Sequence, residues 1–518
     1  MKKINSLVGI LFPDIKNNQD HQPALDKILF SILLVLSFFI VVFIYFKADS
    51  PYDTGDGIVH YQIARYSWKY PLLFLDWWGK PFFTLISSPF AQFGIKGIYI
   101  FQALNAAIIS ILLFKIASIL KLKYLWTIPV FVFFAPIYFA VMNSGLVEIF
   151  FGTIFTFSAW LVFRKNYYAS ALVASLLPYV RPEAYVVIPL LIIIYAYRRK
   201  FLAIPLLLTA TIIYTVIGYF HFKDILWIIH QNYKLIGDNY AGMKGGYLHY
   251  FGVYNQIWGP VYAIFLLIGT GIIFTRVLKL IQGKSKNEFV EEIFLLFLGT
   301  TVGCFVLHSL LYSMPGVLNN LGMTRYLATL IPSSAFIALI GLNLINLSSF
   351  KGIRFLRPVI LIVTVILIFW SSQKQWYLPF KSNNEQSVMR QISVYIKKEL
   401  PNSKKVLFFH PLFPFYAEFD PYDLNKVEVL WSADLERLSQ IPDSTLILWD
   451  SHFLKGEVKI PFEWLSENPN YIMLKHYKYS IPELPFEACL FMRANNPVPV
   501  PVPVEFVSSD GQVSVSTQ

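Results

Sequence analysis

The chain has 518 residues, of which 56% are apolar, 17% aromatic and only 14% charged. This composition excludes an ordinary soluble globular protein, because the apolar residues come in blocks of about 20, the length that spans the roughly 30 Å core of a bilayer. We therefore predict a polytopic α-helical membrane protein. The net charge of +12 needs no nucleic-acid partner, since no clustered basic and aromatic patch accompanies it.

About eleven apolar segments are predicted to span the membrane, and the first of them is an anchor rather than a cleaved signal peptide. Their approximate limits are 28–46, 96–118, 124–142, 146–164, 168–180, 184–197, 201–220, 257–278, 292–313, 325–346 and 356–372. The fifth and sixth segments are short and are separated by Arg181 and Pro182, so the alternative for this pair is a single broken hairpin.

Lysine and arginine in the short loops predict the orientation of these segments. Cations concentrate in every second loop, which places the N-terminus and the following residues in the cytoplasm: Lys115, Lys121, Lys123, Arg164, Lys165, Arg198, Arg199, Lys200, Arg276, Lys279, Lys284, Lys286, Lys351, Arg354 and Arg357. The opposite loops have isolated cations or, between Asn143 and Gly145, none. The sequence therefore predicts a multi-pass plasma-membrane protein, and an odd number of spans places its C-terminal segment outside.

This C-terminal segment is predicted to form a small extracytoplasmic α/β domain over 373–496, after a transmembrane domain over 1–372. Its shorter apolar runs are typical of strands, and they are Val406–Phe409, Val427–Trp431, Thr445–Trp449, Tyr471–Leu474 and Ala488–Met492. Helical patterns cover about 387–399 and 433–439. Alternating proline and valine at its start predict that 497–518 is an extended, unpaired tail.

The sequence DTGDGIVHYQIARY, from Asp53 to Tyr66, lies in the first outer loop. It is predicted to form an amphipathic interfacial helix, and Asp56 and His60 share one face of it because they are four residues apart. An active site at the membrane boundary would need such groups, and an inert anchor would not. The alternative is structural: Asp53 or Asp56 caps the helix, and His60 is a packed residue.

Other charged residues occur within or beside apolar segments. Arg181 and Glu183 flank a proline, and each charge costs about 2.5–3.5 kcal/mol at mid-membrane, so we expect them to line a cavity or to pair with each other. Glu148 begins a span, where an acid favours the helix dipole. The loop from His221 to Ile257 suits a substrate-covering lid, or a simple interfacial connector.

The order of five motifs resembles the GT-C superfamily of polyprenyl-phosphate-sugar-dependent glycosyltransferases. The acidic first-loop helix is followed by DWWGKPFFTL (Asp76–Leu85), NSGLVEIFF (Asn143–Phe151), YVRPEAY (Tyr179–Tyr185) and GMTRYLATLIP (Gly322–Pro332). The resemblance covers about residues 25–372 and is greatest to the branch with protein O-mannosyltransferases and the aminoarabinose transferases of lipid A. It implies a GT-C-like fold with interfacial helices in the first outer loop.

The resemblance also implies roles for individual residues. Asp56 matches the general base that deprotonates the acceptor as it attacks the anomeric carbon. The family often has a second acid next to this base, whereas Gly57 follows Asp56 here. Lys80 matches a lysine that holds the donor phosphate, and Arg325 is a second candidate for this contact, since fixed cations stabilise a leaving phosphate.

Lys80 precedes a proline and is therefore expected to have an extended backbone. Snorkelling toward lipid headgroups is the alternative role for both Lys80 and Arg325. The other candidates are predicted to bind the sugar or the acceptor, and they are Asp53, His60, Glu148, Arg181, Glu183, Tyr247 and His249.

We therefore predict an inverting glycosyltransferase whose donor is a polyprenyl-phosphate sugar and whose acceptor is a lipid-linked glycan, a lipid, a cell-wall polymer or a protein. No zinc-like spacing of cysteine and histidine occurs, and the resemblance implies chemistry without a metal, so no cofactor or metal is predicted. A divalent ion held by the acids and the histidine of the outer loops is the alternative. The rival functions are a transporter or flippase of polyprenyl-linked sugars, a lipid-diphosphate-dependent glycan ligase, and a scaffold. The lack of a repeat between the two halves of the sequence disfavours a transporter.

Overall fold

The computed structural model describes residues 23–233, 245–283, 289–314, 320–346, 351–375, 380–400, 405–494 and 502–515. The chain divides into two compact units. The helical unit comprises Met1–Phe46 and Pro71–Leu378, and the sheet unit comprises Lys47–Tyr70 and Pro379–Gln518. The segment Lys47–Tyr70, which follows the first helix, therefore belongs to the same unit as the C-terminal sheet, which the predicted boundary at 372 did not anticipate.

All eleven predicted apolar segments of the helical unit are helical in the described residues. Its α-helices are Pro23–Phe46, Pro81–Ala91, Ile95–Ile119, Ile128–Phe133, Pro136–Val141, Glu148–Phe163, Tyr167–Ala174, Ala184–Tyr197, Ala203–Leu206, Thr209–Phe222, Trp227–Tyr233, His249–Gly252, Tyr254–Ile257, Pro260–Ile281, Val290–Glu292, Thr300–Ser313, Ile331–Leu342 and Lys351–Gln375. Short 3₁₀-helices are Pro71–Leu75, Leu125–Thr127, Leu177–Tyr179, Thr324–Leu330 and Asn343–Asn346, and Ile293–Gly299 is a π-helix.

Seven helical stretches of the described residues are long and apolar enough to cross a membrane. They are Ala24–Phe46, Ile95–Ile119, Ala203–Phe222, Pro260–Ile281, Val290–Ser313, Thr324–Ile345 and Leu356–Gln375, and two shorter apolar helices are Glu148–Phe163 and Ala184–Tyr197. The protein is thus a multi-pass membrane protein, and the number of eleven crossings stays a prediction.

Proline explains why one predicted span is not a continuous helix. The segment 124–142 contains the helices Ile128–Phe133 and Pro136–Val141, separated by Ala135 with an extended backbone at φ −63° and ψ 125°. The residue before a proline avoids the helical region, so the first helix ends there and Pro136 begins the next one.

Two long helices of this unit approach each other closely through glycine. A Cβ atom added to Gly269 would lie 2.0 Å from the carbonyl oxygen of Ile337, and one added to Gly341 would lie 2.0 Å from that of Phe265. Small residues let helix backbones pack tightly in membranes, where the apolar effect alone does not drive association. Each helix therefore depends on a glycine facing the backbone of the other.

The sheet unit contains one mixed sheet of seven strands in the order β2-β1-β3-β5-β4-β6-β7. The strands are β1 Val406–Phe408, β2 Val427–Val429, β3 Leu446–Asp450, β4 Tyr471–Tyr479, β5 Glu487–Arg493, β6 Val504–Val507 and β7 Val513–Val515. The α-helices of this unit are Asp56–Tyr66, Asn384–Glu399, Leu412–Ala417, Leu435–Ser439, Phe453–Gly456 and Phe462–Ser466. Strands β2, β1 and β3 are parallel, and β5 is antiparallel to both β3 and β4.

The five predicted strands are confirmed, but the prediction of an unpaired tail is wrong for part of 497–518. Strand β6 pairs in parallel with β4 and antiparallel with β7, because its valines and phenylalanine continue the apolar edge of the sheet. Residues 497–501, which carry most of the Pro-Val alternation, and 516–518 lie outside the described residues.

The segment Lys47–Tyr70 packs into the core of the sheet unit. Ile58 is completely buried in the same apolar cluster as Val388 of the helix Asn384–Glu399 and Leu412. The side-chain amide of Gln62 donates to the carbonyl of Pro411 at 3.2 Å, and that of Gln386 donates to the carbonyl of Pro51 at 2.7 Å. The helix Asp56–Tyr66 is therefore an integral part of the α/β unit rather than an appendage of the first span.

Candidate functional site

Three predicted residues form a buried ion-pair network in the helical unit. The guanidinium of Arg181 donates to both carboxylate oxygens of Glu183, with its Nε at 3.1 and 3.0 Å and its Nη2 at 2.9 Å. Its Nη1 donates to Oε1 of Glu148 at 2.6 Å. Both carboxylates are fully buried and the arginine side chain is 11% exposed. The predicted pairing of Arg181 with Glu183 is confirmed, and it extends to Glu148, the first residue of the earlier helix Glu148–Phe163.

The network continues through residues that sequence reasoning did not identify. His308 Nε2 lies 3.1 Å from Oε1 of Glu183, and its Nδ1 lies 3.1 Å from the side-chain amide of Asn320. Because the amide nitrogen can only donate, Nδ1 accepts and the ring proton is on Nε2, which donates to the glutamate. A histidine within an apolar span was the available signal, since ionisable residues there are usually functional.

Arg325, the second candidate for the donor phosphate, lies beside this network. Its guanidinium carbon is 5.6 Å from the ring centre of Tyr326, and that of Arg181 is 5.9 Å from the same ring. The ring of His308 stacks on Tyr326 at 5.5 Å and 14°. Arg325 is 7% exposed. Tyr326 thus packs against two guanidinium groups and an imidazole. These contacts keep the guanidinium of Arg325 close to that of Arg181.

The predicted lid residues differ in their contacts. His249 Nε2 is 2.8 Å from the carbonyl oxygen of Gly322, and its ring packs against Tyr312 at 4.7 Å. Tyr247 is 55% exposed. Residues 234–244 of the predicted lid lie outside the described residues. The structure therefore connects His249, through the segment that leads to Arg325, to the elements of the buried network.

Lys80 is presented by a tight turn. The carboxylate of Asp76 accepts from the amide of Gly79 at 2.8 Å, and the amide of Lys80 donates to the carbonyl of Trp77 at 3.3 Å. Lys80 consequently has φ 59° and ψ 91°, so the expected extended backbone is wrong. Its ammonium lies 5.7 Å from the ring of Trp78. Burial raises the pKa of Asp76, and the backbone amides of Gly79 and Trp78 and the charge of Lys80 oppose this rise.

Asp53, Asp56 and His60 all lie in the sheet unit. The N-cap residue of the helix is Gly55, not an aspartate, but the carboxylate of Asp53 accepts from the amides of Gly55 and Gly57 at 3.2 and 2.6 Å and so satisfies an amide of the first turn. Asp56 is the first residue of the helix and is half-buried, while His60 is buried one turn later.

A second polar cluster of the sheet unit lies beyond the carboxyl ends of β1 and β3. Glu385 Oε1 is 2.6 Å from His452 Nδ1, and Glu385 Oε2 is 3.7 Å from His410 Nε2. Burial would raise the pKa of Glu385, but the close contacts with the two histidines and their positive charge outweigh it and hold this pKa well below its usual range. A Cβ atom added to Gly55 would lie 3.6 Å from Phe453, so the loop before Asp56 borders this cluster.

The fold is similar to those of two solved membrane glycosyltransferases. ArnT from Cupriavidus metallidurans in the apo state has a TM-score of 0.57 and 10% identity, over 89% of this chain and 97% of that one. Its structure bound to undecaprenyl phosphate gives a TM-score of 0.56 and 11% identity over the same shares. The Archaeoglobus fulgidus oligosaccharyltransferase, tethered with an acceptor peptide, has a TM-score of 0.52 and 8% identity, over 90% of this chain and 74% of that one.

No protein-family model matches the sequence, and no curated protein matches it. The similarity is therefore one of backbone architecture. Both solved proteins are GT-C glycosyltransferases, one of them a lipid A aminoarabinose transferase. The predicted fold class, with its helical part and its C-terminal sheet domain, is confirmed. This chain is a multi-pass membrane protein with the GT-C-like fold of these glycosyltransferases.

Proposed function

We propose that the protein is an inverting glycosyltransferase that moves a sugar from a polyprenyl-phosphate donor to an acceptor on the extracytoplasmic side of the membrane. The acceptor is a hydroxyl or another nucleophile of a lipid-linked glycan, a lipid, a cell-wall polymer or a protein. One fold can host several activities, so the proposal depends on the polar groups of this chain as well as on its architecture.

The observation that carries the proposal is the carboxylate of Glu148. It is completely buried, and Oε1 accepts from Arg181, whereas Oε2 has no hydrogen-bond partner within the described part of the chain. An unpartnered buried acceptor costs about 1–3 kcal/mol, so such atoms in native proteins call for a reason. A sugar or acceptor hydroxyl that donates to this oxygen would supply the reason.

The proposed reaction assigns one role to each end of the bond that is broken. The carboxylate of Asp56 takes the proton of the acceptor nucleophile, which attacks the anomeric carbon and forms the new glycosidic bond. The bond from that carbon to the phosphate oxygen breaks with inversion, and the polyprenyl phosphate leaves with its electron pair. Lys80 and Arg325 hold this phosphate, whose negative charge grows in the transition state. No metal ion is required.

Glu148, Arg181 and Glu183 contribute through position in this proposal. Arg181 donates from two edges of its planar guanidinium, one to Glu183 and the other to Glu148. The carboxylate of Glu148 is therefore fixed relative to Glu183 and His308. A carboxylate held in this way has no freedom to turn away from a sugar hydroxyl. The Glu148 side chain therefore loses its conformational entropy on folding, and substrate binding does not have to restrict it further.

The test of the base is to measure transfer by the full-length Asp56→Asn variant in native membrane lipid extract, with released polyprenyl phosphate detected by mass spectrometry. Loss of a general base lowers turnover by roughly 10²–10⁴-fold. Asp49→Asn is the matched control, because it makes the same change at an exposed aspartate of the same loop and should leave transfer unchanged. Near-wild-type turnover of Asp56→Asn would end the assignment.

Donor binding is tested separately with undecaprenyl phosphate and thermal unfolding of the purified protein. Lys80→Ala and Arg325→Ala should each raise the Kd of this lipid about ten- to a hundred-fold, the value of a charge-assisted hydrogen bond, so more lipid is needed for the same rise in unfolding temperature. Lys96→Ala is the control, since Lys96 also lies against an aromatic ring, 5.4 Å from Phe46. Equal losses in all three variants would show that general positive charge, and not a phosphate site, binds the lipid.

A further inference from the structure

A pocket of about 310 Å³ lies in the helical unit away from the buried network. It is lined by three cations and two aromatic residues, which are Lys165, Arg198, Lys200, Tyr167 and Phe289. The cations come from two connections: one follows the helix Glu148–Phe163, and the other follows the helix Ala184–Tyr197. Both connections are among the loops that the charge pattern predicts to be cytoplasmic, whereas the proposed donor site belongs to the opposite side.

The two connections have the same backbone geometry. Lys165 has φ 58° and its amide donates to the carbonyl of Val162, while Arg199 has φ 55° and its amide donates to that of Ala196. This left-handed position after a helix is usually occupied by glycine, because other residues are strained there. The helix dipole favours a cation near each helix end, but it does not require cations of two helices to line one cavity.

Arg198 is fixed in the pocket wall by a carboxylate. Its Nε and Nη2 donate to the two oxygens of Glu292 at 2.6 and 2.9 Å, and its Nη2 lies 3.7 Å from Glu291. This geometry uses one edge of the guanidinium and leaves Nη1 out of these pairs. Lys165 places its ammonium 5.6 Å from the ring of Phe289, which closes an apolar side of the pocket.

We propose that this pocket binds a phosphate ester. Three of its five lining residues are cations and none is an acid, and only Arg198 of the three is seen to pair with Glu292 and to lie near Glu291. Arg164 and Arg199 lie next to lining residues in the sequence. An oriented guanidinium with two flexible ammonium groups suits the tetrahedral oxygens of phosphate. Basic pockets between membrane helices on the cytoplasmic side bind lipid phosphates, and a soluble phosphate ester offers the same chemistry. This site is independent of the proposed transfer reaction.

The experiment compares two double variants of the full-length protein in nanodiscs. Lys165→Ala with Lys200→Ala removes two charges from the pocket. Lys121→Ala with Lys123→Ala removes two charges from another connection on the same predicted side, and Lys121 also has a positive φ, at 52°. Retention of phosphatidylglycerol against phosphatidylcholine is measured by native mass spectrometry, and thermal unfolding in pure phosphatidylcholine shows that each variant is folded.

The pocket variant should retain phosphatidylglycerol roughly thirty-fold less than the wild type, at about 1 kcal/mol for each lysine, and the control should not differ from the wild type. A lipid headgroup is the ligand if this difference occurs. A soluble ester is the ligand if inorganic phosphate, but not chloride of equal ionic strength, stabilises only proteins with an intact pocket in phosphatidylcholine. Equal behaviour of the two double variants in both arms overturns the proposal.

Discussion

Both units of the molecule bury acidic side chains, but they give them different partners. In the helical unit Glu183 is held by the guanidinium of Arg181 and by His308, whereas in the sheet unit Glu385 is held by His410 and His452. A guanidinium keeps its charge at every pH at which the protein is folded, while imidazoles titrate near neutrality. The ion pair of Glu183 with Arg181 is therefore kept at every such pH, whereas the interactions of Glu385 with its histidines depend on pH.

The sharpest test of the locked network is Arg181→Ala. Removal of this arginine leaves the buried carboxylates of Glu148 and Glu183 without their cation, which costs about 3–5 kcal/mol. We expect the largest fall in unfolding temperature of this series, measured on the detergent-purified protein. Arg164→Ala is the control because Arg164 is exposed. Addition of Glu183→Gln to this variant should restore part of the lost unfolding temperature. An unfolding temperature of Arg181→Ala equal to that of the wild type would show that water solvates the two carboxylates.

In the sheet unit the largest effect should come from an apolar residue. Ile58→Ala removes a completely buried side chain that joins the first outer loop to the core, at a cost of about 2–5 kcal/mol. Hydrogen exchange should rise over the helix Asp56–Tyr66, and glycosyl transfer should fall because Asp56 begins this helix. Ile58→Val, which keeps most of the volume, should cost only about 1 kcal/mol. Unchanged exchange in Ile58→Ala would separate the helix from that core.

The pH-dependent cluster is tested by Glu385→Gln. Burial would lower the pKa of His452, but the hydrogen bond and charge of Glu385 outweigh it and raise this pKa above 6.5. The stabilisation is then complete below pH 6.5 and is lost as the pH rises through the higher folded value. The lowered pKa of Glu385 means that its contribution is present above 4.5 and is lost in acid.

The unfolding temperatures of wild type and Glu385→Gln should therefore differ most between about pH 4.5 and 6.5. We expect about 1 kcal/mol, since His452 is half exposed and water screens the pair. His476 pairs with another acid of the sheet unit, Glu487, so Glu487→Gln reports whether a difference belongs to any histidine pair. A difference that does not change between pH 5 and 9 would contradict the assignment.

The smallest effect is expected for the ion pair between Lys69 and Asp420. Its nitrogen and oxygen are 2.7 Å apart, but the lysine side chain is 61% exposed. Exposed pairs gain little because water screens them and two long side chains lose freedom. Lys69→Ala should leave the unfolding temperature unchanged within error. A marked fall in the unfolding temperature would show that water does not screen this pair. The ion pairs of the sheet unit would then resemble those of the helical unit more closely.

Features that depend on neighbouring residues were predictable from the sequence. Apolar runs identified the helices and the first five strands, and the spacing of Arg181 and Glu183 about a proline predicted their pairing. The turn at Lys80 was not predictable from Pro81 alone, because the carboxylate of Asp76 and the amide of Gly79 determine it. A preference of one residue for an extended backbone is weaker than a closed hydrogen-bonded turn.

Features that depend on distant residues were not predictable. The sequence shows Asp53–Tyr66 as an amphipathic helix, and an interfacial helix is the simplest interpretation of that pattern. Ile58 of this helix packs in the core of the sheet unit, with residues more than 300 positions away in the sequence, and the pattern does not reveal these partners. His308, a hydrogen-bond partner of Glu183, is likewise 125 residues away in the sequence. No periodicity within a segment specifies which remote segment covers it.

The split composition of the sheet unit has a consequence for biosynthesis. Pro51 and its partner Gln386 are 335 residues apart, and Gln62 and Pro411 are 349 apart. The segment Lys47–Tyr70 therefore leaves the ribosome before the residues that bury Ile58, and it cannot pack against them while the intervening helices are being synthesised. A chain truncated during translation would carry Asp56 on a loop without its scaffold, so only a completed polypeptide acquires the acid in its final setting.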